Sequence, residues 1–107
     1  MKIYLAIPYT GMEQLSFDTA NRVAGRLMRD GHIVFSPISH SHPIAQTCEL
    51  PAHWDYWKAA DTAFISWCDE VRVIGMHGLW QKSKGVKAEL EIAVKLGKPI
   101  KFVDWRI

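Results

Sequence analysis

In the segment Ser83-Lys84-Gly85-Val86-Lys87-Ala88-Glu89, one carboxylate falls on the wrong side of a helix. At about 100° per residue, Val86, Leu90, Ala93, Val94 and Leu96 form one apolar arc, and Lys87, Glu91 and Lys95 face away from it. Glu89 lies inside the arc, within about two turns of the helix start. A carboxylate turned toward its own protein is costly unless it is paired or used. Two readings stay open: a structural ion pair, or a group that does chemistry. The free N–H groups of the same helix start, beside the small residues Ser83 and Gly85, would suit a phosphate or another anion. A plain N-cap by Ser83 is the simpler alternative.

A second set of reactive side chains, His40, His42, Cys48, His53 and Asp55, falls between residues 40 and 55. Their spacing fits no established metal-ligand pattern, so neither a metal nor a cofactor is expected. A lid over a binding site, with His40 or His42 touching substrate, is the better use of that segment. Cys48 and Cys68 show neither redox nor metal spacing, which points to a reducing, cytoplasmic setting.

These residues must be held by a fold that 107 residues can build as one domain spanning 1–107. A hydrophobic share of 49% and a charged share of 22% are those of a globular protein. The net charge of +2 is too small and scattered for a nucleic-acid polymer, although Lys82, Lys84 and Lys87 cluster beside the Glu89 helix. No apolar run is long enough for a membrane span, and MKIYLAIPYTG is too short for a signal peptide.

Residues 2–7 read as a buried strand that ends at Pro8. A helix with Phe17, Ala20, Val23, Ala24, Leu27 and Met28 at helical spacing follows, with Ser16 as its possible cap and Gly31 closing it. A second strand at 32–35, a loop over 36–50, and a helix from Pro51 to about Trp67 come next. A third strand (71–74), a loop (76–82), the Glu89 helix and a last strand at 100–103 complete the chain. Trp54, Trp57 and Trp67 gather in one segment, which suggests aromatic packing or a subunit contact.

Apolar strands alternating with helices imply a parallel sheet covered on both faces. Right-handed crossovers then give a small doubly wound, Rossmann- or flavodoxin-like α/β fold of four strands in order 2-1-3-4. Ligands of such folds bind beyond the carboxyl ends of the strands. Ile7, Pro8 and Tyr9 would therefore border the site, together with the 36–50 segment and residues 75–85.

IYLA at the start, Asp61 on a helix, Cys68-Asp69 before the third strand, SxGVxxE and AxxxGKP together resemble the nucleoside 2-deoxyribosyltransferase superfamily. The resemblance spans nearly the whole chain and is closest to short uncharacterised bacterial and phage proteins of that fold. SxGVxxE is also similar to the motif of the 2'-deoxynucleoside 5'-monophosphate N-glycosidases. The resemblance implies that Glu89 is the nucleophile, that Asp61 is the acidic residue near the base, and that Tyr4 holds the nucleophilic carboxylate. It implies that Ser83 and Gly85 contact a phosphate; the transferases carry aspartate where this chain has Ser83, which favours the monophosphate branch.

Family members usually carry glycine where this chain has Ile7. The hydrolases use an arginine near the position of Thr10, a role that Arg22 or Lys84 would have to take. No residue here maps onto the one that relatives receive from a neighbouring subunit. The implied activity is cleavage of the N-glycosidic bond of a nucleoside or nucleoside 5'-monophosphate, by hydrolysis or transfer, in a homo-oligomer (dimer or tetramer). A non-catalytic nucleotide-binding module with the same fold is the alternative, which the Ile7 departure favours. Asp61 would then be a solvated helix carboxylate and Tyr4 an ordinary core residue. An interaction protein that uses exposed tryptophans is a third reading.

Overall fold

The apolar runs of the sequence pair as one parallel sheet in the computed structural model, which describes residues 1–106. The elements are β1 (Lys2–Ala6), α1 (Glu13–Arg29), β2 (Ile33–Phe35), α2 (Pro37–Cys48), α3 (Trp54–Trp67), β3 (Glu70–Val73), a 3-10 turn (Leu79–Lys82), α4 (Lys84–Lys95) and β4 (Ile100–Phe102). The order β2-β1-β3-β4 is the expected one, and each neighbouring pair is parallel.

The twofold alternation of a strand decides which layer each β1 side chain joins. Ile3 and Leu5, with Ile7 beyond the strand end, pack on one face against Ala20, Val23, Ala24 and Leu27 of α1. Tyr4 and Ala6 point to the opposite face, where Val71 and Val73 of β3 meet Ile65 of α3 and Val86 and Ala93 of α4. This parity sends the Tyr4 side chain toward the Glu89 helix. Its backbone is centred in the sheet, in register with Phe35 on one side and Val71 on the other.

Several local expectations give way to tertiary structure. Residues 36–50 are not a loop, because most of them form α2. The Ser36 hydroxyl accepts from the Ser39 N–H at 3.3 Å, Pro37 enters the first turn, and Glu49 closes the helix at φ 54°. Pro37, Ile38, Ser41, His42 and Ala45 recur at helical spacing, but serine and histidine hold positions that an apolar residue usually marks. Ser16 does not cap α1. It lies inside the helix, and its hydroxyl donates to the Pro8 carbonyl, while Met12 stands at the N-cap. The third helix starts at Trp54 rather than Pro51, with His53 at its cap in extended conformation. Within α4 the buried stripe is Val86, Glu89 and Ala93; Val94 and Leu96, expected in the apolar arc, are 69% and 44% exposed. Asp69, next to β3, accepts the Lys2 N–H at 2.7 Å and fastens the start of β1.

Candidate functional site

A cavity of about 550 Å³ opens at the carboxyl end of β1. Ile7, Pro8, Tyr9, Thr10 and Met12, the residues that follow this strand, form one wall. The start of α4 contributes Ser83, Lys84, Gly85, Val86 and Glu89, and the preceding turn adds Leu79 and Lys82. Trp54, Trp57 and Asp61 of α3 and Ile38, Ser41, His42 and Ala45 of α2 complete the lining. Ser83 caps α4, its hydroxyl accepting from the Val86 N–H at 3.2 Å. This cap engages one of the first-turn donors and leaves the N–H groups of Lys84 and Gly85 at the cavity edge.

Tyr4 is fully buried beneath this wall, and its hydroxyl donates to Oε2 of Glu89. Glu89 is 6% exposed, and no cation lies within ion-pair distance of it among the described residues. Burial pushes its pKa from 4.5 up to about 8; the Tyr4 hydrogen bond opposes the rise and the nearby charge of Asp61 adds to it. Asp61, 8% exposed, is likewise pushed by burial from 3.8 to about 6, against the favourable influence of the Tyr4 hydroxyl. The Tyr4 hydroxyl itself is held well above its usual range by burial and by both carboxylates, so it stays a donor.

Glu70 supplies the internal contrast. It is 3% exposed, yet it pairs with Arg72 and with Lys101, the latter at 3.6 Å. Burial would raise its pKa, but the two cations outweigh that and hold it below the ordinary value. Two carboxylates of similar burial thus have opposite fates. Glu70 is a satisfied structural anion; Glu89 is not. With Asp61 pushed to about 6 and Glu89 to about 8, the pair holds about one proton near neutral pH, resting mainly on Glu89. Its transfer to Asp61 gives a carboxylate nucleophile beside an acid.

Of the residues singled out in the sequence, Glu89, Asp61, Ile7, Pro8, Tyr9, Ser83 and Gly85 all line this cavity, and Tyr4 supports it from below. His40 does not line it. One helical position earlier than Ser41, it is exposed and packs on Phe35 and Phe64 with ring centroids 5.5 and 6.3 Å away. His42 faces the cavity instead. Of the two alternatives for a basic group, Lys84 lines the cavity and Arg22 is exposed on α1, its guanidinium 3.5 Å from the Thr19 hydroxyl. The cavity use of Trp54 and Trp57 went unseen in the sequence. Their spacing carried the signal, because positions 54, 57 and 61 share one face of a helix. Trp67 lies away from the cavity, with the Lys2 ammonium 4.8 Å from its ring centroid.

The profile of a domain family of unknown function (DUF1937) matches residues 1–104. The chain belongs to that family. No curated protein matches it. Among solved structures, it is similar to a 2-deoxyribosyltransferase from the psychrotolerant bacterium Bacillus psychrosaccharolyticus, described as a biocatalyst for nucleoside synthesis. The two share 27% identity with a TM-score of 0.62, over 95% of this chain and 71% of the other. This DUF1937 chain therefore has the nucleoside 2-deoxyribosyltransferase-like fold.

Proposed function

We propose that this DUF1937 protein cleaves the N-glycosidic bond of a nucleoside or nucleoside 5'-monophosphate, with Glu89 as nucleophile and Asp61 as acid and base. The observation that carries the reading is a cavity-lining carboxylate with no cation, held at one oxygen by a buried tyrosine and flanked by a second perturbed acid. Likeness to a 2-deoxyribosyltransferase supports the substrate class.

Tyr4 engages Oε2, leaving Oε1 without a hydrogen bond among the described residues and available to an electrophile. Oε1 attacks the anomeric carbon as the C–N bond breaks, and the bonding pair leaves with the base nitrogen, which takes its proton from Asp61. The oxocarbenium-like transition state collapses to a glycosyl ester on Glu89. Asp61, now a carboxylate, draws a proton from water or from an acceptor base that attacks the same carbon and frees Glu89. The attacking form is the one in which the shared proton has moved from Glu89 to Asp61. Desolvation makes this carboxylate the minor but more nucleophilic form at neutral pH, and the Tyr4 hydrogen bond restrains the rise in its pKa. Lys84, Lys82 and the free N–H groups at the α4 start support an anionic substrate arm, such as a 5'-phosphate.

The test is base release, followed by chromatography, from a panel of ribo- and deoxyribonucleosides and their 5'-monophosphates, with and without an acceptor base. Turnover is expected, and Glu89→Gln should abolish it. Absence of turnover across the panel in folded protein refutes the reading. Binding without turnover would support a nucleotide-binding module, which the bulky Ile7 at the cavity wall favours.

A further inference from the structure

His42 carries an unusual feature for a side chain that is 3% exposed. Its Nε2 is a buried polar atom with no hydrogen-bond partner among the described residues, and the residue lines the cavity. The rest of the ring is held firmly. Phe17 of α1 stacks on it at 4.6 Å between centroids, with an interplanar angle of 27°. The Tyr9 hydroxyl lies 2.6 Å from Nδ1. An orphaned buried polar group is destabilising, so a ring fixed on one side and unsatisfied on the other calls for a partner in the cavity.

Tyr9 sets which kind of partner. The Tyr9 hydroxyl and Nδ1 share one hydrogen bond, in which Tyr9 donates when the ring hydrogen is on Nε2. An imidazole that accepts at Nδ1 carries its hydrogen at Nε2. In that tautomer His42 presents a donor to the cavity. The cavity it lines takes apolar and aromatic side chains from α2 and α3, Ile38, Ala45, Trp54 and Trp57, whereas the cations Lys82 and Lys84 come from the turn before α4 and from its first residue. Trp57 is itself oriented, because its indole N–H donates to the Pro51 carbonyl at 2.8 Å. A flat, weakly polar ring with an acceptor on its edge fits His42 and these aromatic side chains. A phosphate fits the two lysines.

We propose that His42 reads the nucleobase: its Nε2–H, fixed in place by Tyr9, donates to a carbonyl oxygen or ring nitrogen of a base lying against Trp54 and Trp57. The inference rests on the function proposed above and assigns the two ends of its substrate. His42 contacts the base directly. Tyr9 is a positioning residue that acts through the His42 tautomer.

The experiment joins proton–nitrogen NMR of the His42 ring in the wild-type protein with kinetics of three variants. The probes are a nucleoside without phosphate, the free base, and inorganic phosphate alone. The expected NMR result is hydrogen on Nε2 and a bare Nδ1, with the Nε2 signal moved by nucleoside and base but not by inorganic phosphate. His42→Phe keeps the stack on Phe17 without the donor, and should lower kcat/KM about 10–100-fold, mainly through KM. His42→Gln restores an N–H and should recover part of the loss. Tyr9→Phe should mix the two tautomers in the ring spectrum and give a smaller kinetic loss.

Hydrogen on Nδ1, a response to inorganic phosphate alone, or unchanged kinetics in His42→Phe would each overturn the assignment. Should His42→Phe fail to fold, the wild-type and Tyr9→Phe spectra decide. A wild-type protein that turns over neither nucleosides nor their 5'-monophosphates while its His42 signal responds to base refutes the glycosidase reading and leaves base recognition standing. Turnover with a silent His42 does the reverse, and silence in both refutes both.

Discussion

A carboxylate kept neutral by its surroundings weakens the fold as pH rises, and replacing Glu89 by glutamine should remove that weakness. The pKa of Glu89 moves from 4.5 to about 8, so between those values the folded protein holds a proton that the unfolded chain has released. Stability then falls with rising pH. It is fully present below about 4.5 and lost by the time pH passes 8. At about 1.4 kcal/mol per tenfold change in the proton equilibrium, the ceiling is roughly 5 kcal/mol. Water entering the cavity on ionisation relaxes part of this, so a difference of about 2–4 kcal/mol is expected. Glutamine retains an acceptor for the Tyr4 hydroxyl and carries no charge. Glu89→Gln should therefore match the wild type near pH 5 and exceed it by that amount near pH 8.5, where wild-type Glu89 is mostly ionised. For a domain of this size the gain corresponds to a Tm increase of about 10–20 °C. The assay is urea or thermal unfolding at half-unit steps from pH 4.5 to 8.5. Asp61, raised from 3.8 to about 6, contributes in the acid part of this range, and Cys68, raised by burial from 9 to about 11, contributes above it. Groups common to both proteins cancel in the difference. A variant that follows the wild-type slope, or is less stable at pH 8.5, would show Glu89 to be a satisfied anion and refute the reasoning.

The proposed chemistry needs the Glu89–Asp61 pair to hold one proton, so kcat/KM should be bell-shaped in pH, with apparent values near 6 and 8 and a maximum about pH 7; a flat profile would count against two titrating participants. Asp61→Asn should lower the rate about 10²–10⁴-fold on substrates with a poorly leaving base and much less on activated ones. It should also remove the alkaline limb, leaving a single rise governed by Glu89 at a pH below its wild-type value of about 8, because a like charge beside it is gone. Tyr4→Phe removes the donor that favours the Glu89 anion, so the acid limb should move to higher pH and turnover at pH 7 should fall about tenfold; an unmoved limb would leave Tyr4 a packing residue. Glu70→Gln should behave oppositely to Glu89→Gln: it strands Arg72 and Lys101 and costs about 1–3 kcal/mol at neutral pH, and the loss should shrink in acid as the wild-type carboxylate is protonated.

What was readable in the chain followed from periodicities that survive burial. KIYLAI shows its strand directly, and its alternation separates Ile3, Leu5 and Ile7 from Tyr4 and Ala6. The helical wheel of residues 86–97 isolates Glu89 because a single charge interrupts an apolar face. The α2 segment was illegible for the opposite reason. Its inward positions are Ser41 and His42, so hydropathy shows no stripe, and Pro43 inside the helix suggests a break. The same blindness left two histidines level: without a helix through residues 37–48, nothing separates His40 on the outside from His42 on the inside. Val94 and Leu96 illustrate the reverse error, apolar residues on an arc that the sheet does not reach.

The contrast between the two buried glutamates connects fold to site. Glu70 belongs to β3, beside Arg72 two residues along the strand and Lys101 on the neighbouring β4. Sheet register alone delivers cations to it. Glu89 sits on α4, where Lys87 and Glu91 turn to solvent, and the strand residue beneath it offers a hydroxyl rather than a charge. A lysine or arginine at position 4 would have made Glu89 a second structural anion, low in pKa and unreactive. Tyrosine holds one oxygen and compensates only part of the desolvation. The protein thereby retains an unstable carboxylate at the mouth of its cavity, the kind of stability cost that functional sites carry.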